Sequence, residues 1–257
     1  MSKRYRHIAH YYDAEYSGMR MLEEDVPFFL GQLPKRKQSI LELCAGTGRA
    51  AIPLAQAGHE VVGVDYAQDM LDIARQKRDS VGLGERELKL VHGDVLKLNL
   101  KRRFDWVCIF FNTFLGFTTL DDQDRVLQAA LRHMAPRGRF WVDIFQPDIA
   151  LIADPKMENL DPSSFFVPEL GRTVMKTHTV VRTGPQTERV SFHYAWFDEM
   201  GRAKRETMDI DITFMFAREL QLLLERNGLK IERLWGNYDG SEVTIQSPRL
   251  IARCCRV

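Results

Sequence analysis

The stretch Ile40-Leu41-Glu42-Leu43-Cys44-Ala45-Gly46-Thr47-Gly48-Arg49 leaves few folds open to the chain that carries it. An apolar run ends in Gly-x-Gly, and Ala50-Ala51-Ile52-Pro53-Leu54-Ala55 then reads as the opening of a helix. This is a strand–loop–helix unit. Its glycines let the backbone turn sharply and let a ligand approach where a Cβ would intrude.

The rest of the chain extends that unit. Helices are predicted over 4–16 and 20–33, then strand 39–43, helix 48–57, strand 61–65, helix 67–79 and strand 87–92. Strand 105–111, helix 121–133, a turn at Pro136-Arg137-Gly138 and strand 139–145 follow. Val61-Val62-Gly63-Val64-Asp65 is nearly all apolar, as expected of a strand covered on both faces. Strands alternating with helices of this length predict a doubly wound, mostly parallel α/β sheet.

The pattern changes after residue 147. Pro147 to Pro168 reads as a connector or mobile lid. Segments 172–183, 188–198 and 204–214, rich in Val, Thr, Tyr and Trp, predict an inserted antiparallel β-meander. Helix 217–227, capped at Asn227-Gly228, and strands 229–235 and 249–256 complete the first sheet. Four regions result: an N-terminal helical cap (1–37), a nucleotide-binding core (38–146), the connector and meander (147–216), and the completion of the core (217–257).

At 257 residues the chain suits one large α/β domain with an insertion. Its net charge of +1, spread along the chain, gives no electrostatic grip on nucleic acid or an anionic membrane. The longest apolar run, Trp106 to Phe111, is far too short to span a bilayer. The charged N-terminus leads into no signal core, so a cytoplasmic location is expected. Cys44, Cys108, Cys254 and Cys255 show no zinc-type spacing.

Gly46-Thr47-Gly48-Arg49-Ala50-Ala51 also fits a dinucleotide pattern, so a dehydrogenase competes with a user of S-adenosylmethionine. Glu42 decides against a pyrophosphate, because a carboxylate there would face two phosphates. S-adenosylmethionine carries a sulfonium and an ammonium instead. Asp65, at the end of the second strand, suits both ribose hydroxyls of either cofactor. Tyr66 and Met70 can cover an adenine face. In His92-Gly93-Asp94-Val95, Asp94 can accept from the adenine amino group while Val95 N–H donates to a ring nitrogen.

With Glu42 to Gly48, Val62 to Asp65, His92 to Val95 and Leu131 to Phe140 in order, the chain resembles the class I S-adenosylmethionine-dependent methyltransferases. The opening Tyr5-x-x-x-Ala9-x-x-Tyr12-Asp13 resembles that of bacterial small-molecule members, among them N-methyltransferases of amino sugars and glycine-like amines. The resemblance implies a seven-stranded Rossmann-like sheet, with N-terminal cap helices folding over the cofactor. It places Tyr12 and Arg20 at the methionine end, Cys44, Ala45, Gly46 and Gly48 in the cofactor loop, and Phe111 and Asn112 facing the transferred methyl. Prolines that follow this Asn in amide and base-amino methyltransferases are missing after Asn112, which argues against those acceptors. Asn112 then orients an acceptor or the ligand amine, or it is a polar cap on a strand end.

His193 is a candidate general base, or one face of a packed sheet. Tyr11, Tyr194 and Trp196 are candidate acceptor contacts. Tyr238, in Asn237-Tyr238-Asp239-Gly240, corresponds to a rim turn in similar enzymes. Asp143 and Asp148 lack a further ligand at metal-binding spacing, so no metal is expected. The expected activity is methyl transfer to a small-molecule amine or hydroxyl, leaving S-adenosylhomocysteine, with the meander as a lid or homodimer surface. An RNA or protein methyltransferase of the same fold, and a non-catalytic S-adenosylmethionine-binding module, remain alternatives.

Overall fold

The computed structural model describes residues 9–17 and 19–257. Two N-terminal helices, α1 (Ala9–Tyr16) and α2 (Arg20–Gly31), precede β1 (Ser39–Leu43), α3 (Ala51–Gln56), β2 (Glu60–Asp65), α4 (Gln68–Ser80) and β3 (Leu88–His92). Then come β4 (Phe104–Ile109), α5 (Leu120–His133), β5 (Met134–Phe145) and the short α6 (Ile149–Ile152). Four strands follow: β6 (Lys156–Val167), β7 (Arg172–Gly184), β8 (Thr187–Phe197) and β9 (Ala203–Thr213). The chain closes with α7 (Ala217–Arg226), β10 (Leu229–Trp235) and β11 (Arg249–Arg256).

The large sheet has seven strands in the order β3-β2-β1-β4-β5-β11-β10. β1 to β5 run parallel, and β11 lies antiparallel between β5 and β10. Alternation along β1 explains why both faces are covered. Leu41 and Leu43 point to the side of α5 and α7, packing with Val126, Leu127, Leu220 and Leu224. Ile40 points to the other side, with Phe29 of α2, Leu54 of α3 and Leu71 of α4. Each of these side chains is fully buried or nearly so, which stabilises the fold by about 1.5–3 kcal/mol apiece. Strand order reverses between β1 and β4, and the carboxyl ends there form the crevice where such sheets bind ligands.

The second sheet is antiparallel, in the order β6-β7-β8-β9. It has one strand more than the sequence predicts, because β6 lies where a connector is expected. β6 is an edge strand with register shifts at Met157/Leu160 and Leu160/Ser163, and Asp161 there is left-handed, at φ +45°. Pro162 therefore sits at an irregularity on an edge, where it costs no ladder hydrogen bond. The predicted turn at Pro136-Arg137-Gly138 is likewise absorbed into β5. Phe104 pairs with Met134 and Trp106 with Arg139, so residues 135–138 bulge out of the ladder. Part of the predicted first helix, residues 4–8, lies outside the described residues, as does Gly18 of the cap region. No helix among the described residues is long and apolar enough to cross a membrane.

Candidate functional site

After β1 the backbone turns left-handed at Cys44 (φ +61°), Gly46 (φ +55°) and Gly48 (φ +75°). A Cβ added to Gly46 would enter open space, whereas one on Gly48 would come within 3.1 Å of Ile52 Cδ1. Gly46 thus keeps the ligand side of the loop clear, and Gly48 lets the following helix pack close. Burial pushes the Cys44 thiol well above its usual range, and the nearby carboxylates of Asp65, Glu42 and Asp94 push it the same way. The three acids expected at three strand ends do converge on this loop.

Asp65 accepts from Gly46 N at 2.7 Å through Oδ2 and from Ala67 N at 2.7 Å through Oδ1. Its carboxylate joins the loop to the start of α4; burial raises its pKa against those hydrogen bonds. Asp94 Oδ1 accepts from Leu96 N at 2.9 Å, and the Val95 side chain is in the core. Glu42 is 4% exposed, and its Oε2 has no hydrogen-bond partner. Burial lifts its pKa to about 8; Arg49 opposes the rise, while Asp25 and Asp65 add to it. A buried acid with a free oxygen is complementary to a cationic ligand, which draws it into its ionised form.

Helix α1 roofs the crevice. Tyr12 packs on Ala67 and Met70, and the Tyr16 ring meets Phe111 edge-on with centroids 5.8 Å apart. Met70 is only 3% exposed, so here it supports Tyr12 rather than presenting a free surface to an adenine ring. Tyr66 is 47% exposed, beside His92, whose Nε2 lies 2.9 Å from Tyr66 O. A cleft of about 300 Å³ opens between α1, α2 and the loop, lined by Asp13, Tyr16, Ser17, Leu22, Glu23 and Arg49. The Arg20 side chain lies outside the described residues.

At the end of β4, Phe111 (φ +46°) and Asn112 (φ +63°) are both left-handed, which is strained backbone for residues with a Cβ. Asn112 Oδ1 accepts from Phe145 N at 2.7 Å, and Asn112 N donates to Asp143 O at 2.9 Å. Its side chain therefore ties β4 to β5, as the strand-cap alternative requires. The Phe111 ring has the guanidinium of Arg49 5.6 Å away and that of Arg249 5.4 Å away. Two protein cations therefore engage this ring. Arg49 is held by both oxygens of Asp25, at 2.9 and 2.6 Å. Arg249 is held by Asp143 Oδ1 at 3.0 and 2.5 Å. Tyr238 donates to Asp143 Oδ2 at 2.5 Å and is 6% exposed. Tyr238 is thus a core residue rather than a rim residue, and Asp143 is occupied by neighbours.

Phe165, Phe192, Tyr194 and Trp196 of the small sheet face α1. Tyr194 is 1% exposed and donates to Glu15 Oε2 at 2.8 Å. Lys176 pairs with the same carboxylate. Arg172 donates to Tyr11 Oη at 3.1 Å and lies over Trp196 at 4.7 Å. Tyr11, Tyr194 and Trp196 form the seam between α1 and the sheet, so their surfaces are committed to packing. His193 follows the alternation of β8 to the opposite face, 3.1 Å from both Thr179 Oγ1 and Thr207 Oγ1. That face turns away from α1 and the crevice, which corrects the general-base expectation.

Residues 40–138 match the family described as the methyltransferase domain. Those residues carry a methyltransferase domain. The chain is similar to the cypemycin N-terminal methyltransferase of Streptomyces sp, with 28% identity over 220 residues, 85% of this chain and 83% of that relative. Two demethylmenaquinone methyltransferases are spanned over 56% and 58% of their length. Among solved structures, the CcbJ methyltransferase of Streptomyces caelestis shares the fold at a TM-score of 0.77, with 22% identity, covering 100% of this chain and 97% of that one. The S-adenosylmethionine-bound amino pentose methyltransferase CalS10 of Micromonospora echinaspora does so at 0.69, with 19% identity over 94% and 95% of the two chains.

The methyltransferase fold brings together residues that no local pattern announces. Arg49 and Arg249, held by Asp25 and Asp143, flank the Phe111 ring from distant parts of the chain. The available signal was a charge inside apolar strand sequence, as in Trp141-Val142-Asp143-Ile144-Phe145. No local pattern announces the contact of Asp13 with Thr47 and Lys77, which depends on how α1 docks. Among the described residues, no group of three or more His, Cys, Asp or Glu is placed to hold a metal ion.

Proposed function

We propose that the chain methylates an aliphatic amine of a small molecule or peptide terminus, using S-adenosylmethionine. The observation that carries the cofactor assignment is the buried, partnerless Oε2 of Glu42 beside Asp65 and Asp94. That donor set fits a nucleoside with a cationic tail. Asp65 would hold the ribose, Asp94 and Val95 the adenine, and Glu42 the positively charged methionine end. S-adenosylmethionine supplies an activated methyl on a sulfonium.

The residues around the crevice bind, orient and exclude water rather than transfer protons. An amine that arrives deprotonated would need no base; the crevice residues would orient its nitrogen toward the ligand's activated methyl, and the surplus proton would leave to solvent. Positioning alone can supply roughly 7–11 kcal/mol at best. The amine class is supported by the N-terminal and amino pentose methyltransferases to which this chain is similar, and by His193 lying on the far face of the small sheet.

The test offers amino sugars, short peptides and their hydroxyl counterparts, and measures S-adenosylhomocysteine formed. Turnover with amines and none with the matched alcohols is expected. Turnover confined to hydroxyl or carbon acceptors would overturn the amine reading. A chelator is expected to leave the rate unchanged, and a metal-restored loss would reverse that expectation.

A further inference from the structure

We propose that Asp13 is a positioning residue that latches α1 onto the cofactor loop and so sets how long a bound nucleoside stays, an inference that rests on the cofactor reading above. Asp13 Oδ1 accepts from Thr47 Oγ1 at 2.7 Å, and Oδ2 accepts from Lys77 Nζ at 2.8 Å. Thr47 belongs to the Gly-x-Gly loop and is 1% exposed. Lys77 belongs to α4. One carboxylate therefore joins the roof helix, the loop and the helix after β2.

The neighbours of Asp13 show what the latch closes over. Tyr12, one residue before it, rests on Ala67 and Met70. Tyr16, about one turn later, meets Phe111. The helix thus spans the crevice from the end of β2 to the end of β4. A nucleoside held by Asp65 and the loop lies in the space this span covers, so its passage requires α1 to move.

The two sides of α1 are not held equally. On the small-sheet side Glu15 is 6% exposed and shared by Lys176, at 10%, and by Tyr194, at 1%. On the crevice side the Asp13–Lys77 pair is exposed by more than a third at both ends, 38% and 36%, where water and salt weaken it. Breaking a buried, shared carboxylate costs more than breaking an exposed pair. The helix therefore parts from the loop first and stays with the small sheet. Thr47 is the exception on the weak side: its buried hydroxyl gives the latch its directional contact, while Lys77 adds a screened charge.

The experiment measures S-adenosylhomocysteine dissociation from the full chain by stopped flow, alongside the association rate. Asp13→Ala and Thr47→Val are each expected to speed dissociation about tenfold. The double variant should be no faster than Asp13→Ala alone, because both changes open one contact. Lys77→Met should speed dissociation about twofold at low salt and not at all in high salt. Association should change by less than about threefold, since it occurs with the latch open. Unchanged dissociation in both Asp13→Ala and Thr47→Val, or effects that multiply in the double variant, would overturn the latch. A wild-type chain that binds no S-adenosylhomocysteine would instead overturn the cofactor reading beneath it.

Discussion

Glu42→Gln is expected to stabilise the ligand-free protein at pH 8 and to weaken its hold on S-adenosylmethionine. Burial keeps the Glu42 carboxyl protonated up to about pH 8, whereas in an unfolded chain it ionises near ~4.3. Between these values the unfolded state gives up a proton that the folded state keeps. Stability is therefore full below the lower value and falls as pH rises toward the upper one. The whole window is worth about 5 kcal/mol at most, or roughly 10 °C in Tm for a chain of this size. Glutamine has no proton to lose, so the variant should hold its Tm between pH 5.5 and 8 where the wild type declines. Asp25 and Asp65, also raised by burial, keep the acidic end of the slope in both proteins. Equal declines in the two proteins would contradict the account. The cofactor side has the opposite sign. A cationic ligand draws Glu42 into its ionised form, so binding should release a proton near neutral pH. Glu42→Gln should then lose about tenfold or more in affinity. The acid is costly to the empty fold and useful to the loaded one.

Asp65→Ala carries the second large effect. The carboxylate already serves Gly46 N and Ala67 N, and each oxygen retains lone pairs for a ribose hydroxyl. Two hydrogen bonds to a charged acceptor contribute about 1.5–3 kcal/mol each, so affinity for S-adenosylmethionine should fall at least a hundredfold by calorimetry. Part of that loss comes through the loop, whose amide at Gly46 would be left without its acceptor. A product analogue lacking both ribose hydroxyls separates the two contributions. It should bind the wild type weakly and lose much less on the substitution than S-adenosylhomocysteine does. An unchanged affinity for S-adenosylmethionine would remove Asp65 from the ribose.

The legible parts of this molecule were those fixed by local rules. β1 and β11 fall where the apolar runs place them, because strands covered on both faces have no other place for such side chains. The loop, with its acids at three strand ends, was readable because glycine geometry and carboxylate placement leave a short-range mark. β6 was not, since its proline and its left-handed Asp161 mimic a connector unless the edge position is known. The pairing of Arg49 with Asp25 and of Arg249 with Asp143 was hidden for another reason. Each joins segments more than twenty residues apart, so only the docked helices and strands reveal it. His193, Tyr194 and Trp196 were ambiguous in sequence because a period of two identifies two faces without saying which one meets α1. The hydrogen bonds of Tyr194 to Glu15, and of His193 to threonines on the other face, resolve that choice.

We propose that the loop after β1 is built for a nucleoside with a cationic tail. Calorimetric titration of the full chain with S-adenosylmethionine and, separately, with NADH tests it most directly. One-to-one binding of S-adenosylmethionine, accompanied by proton release that disappears in Glu42→Gln, and no measurable heat with NADH, is the predicted result. Tighter binding of NADH than of S-adenosylmethionine would contradict it.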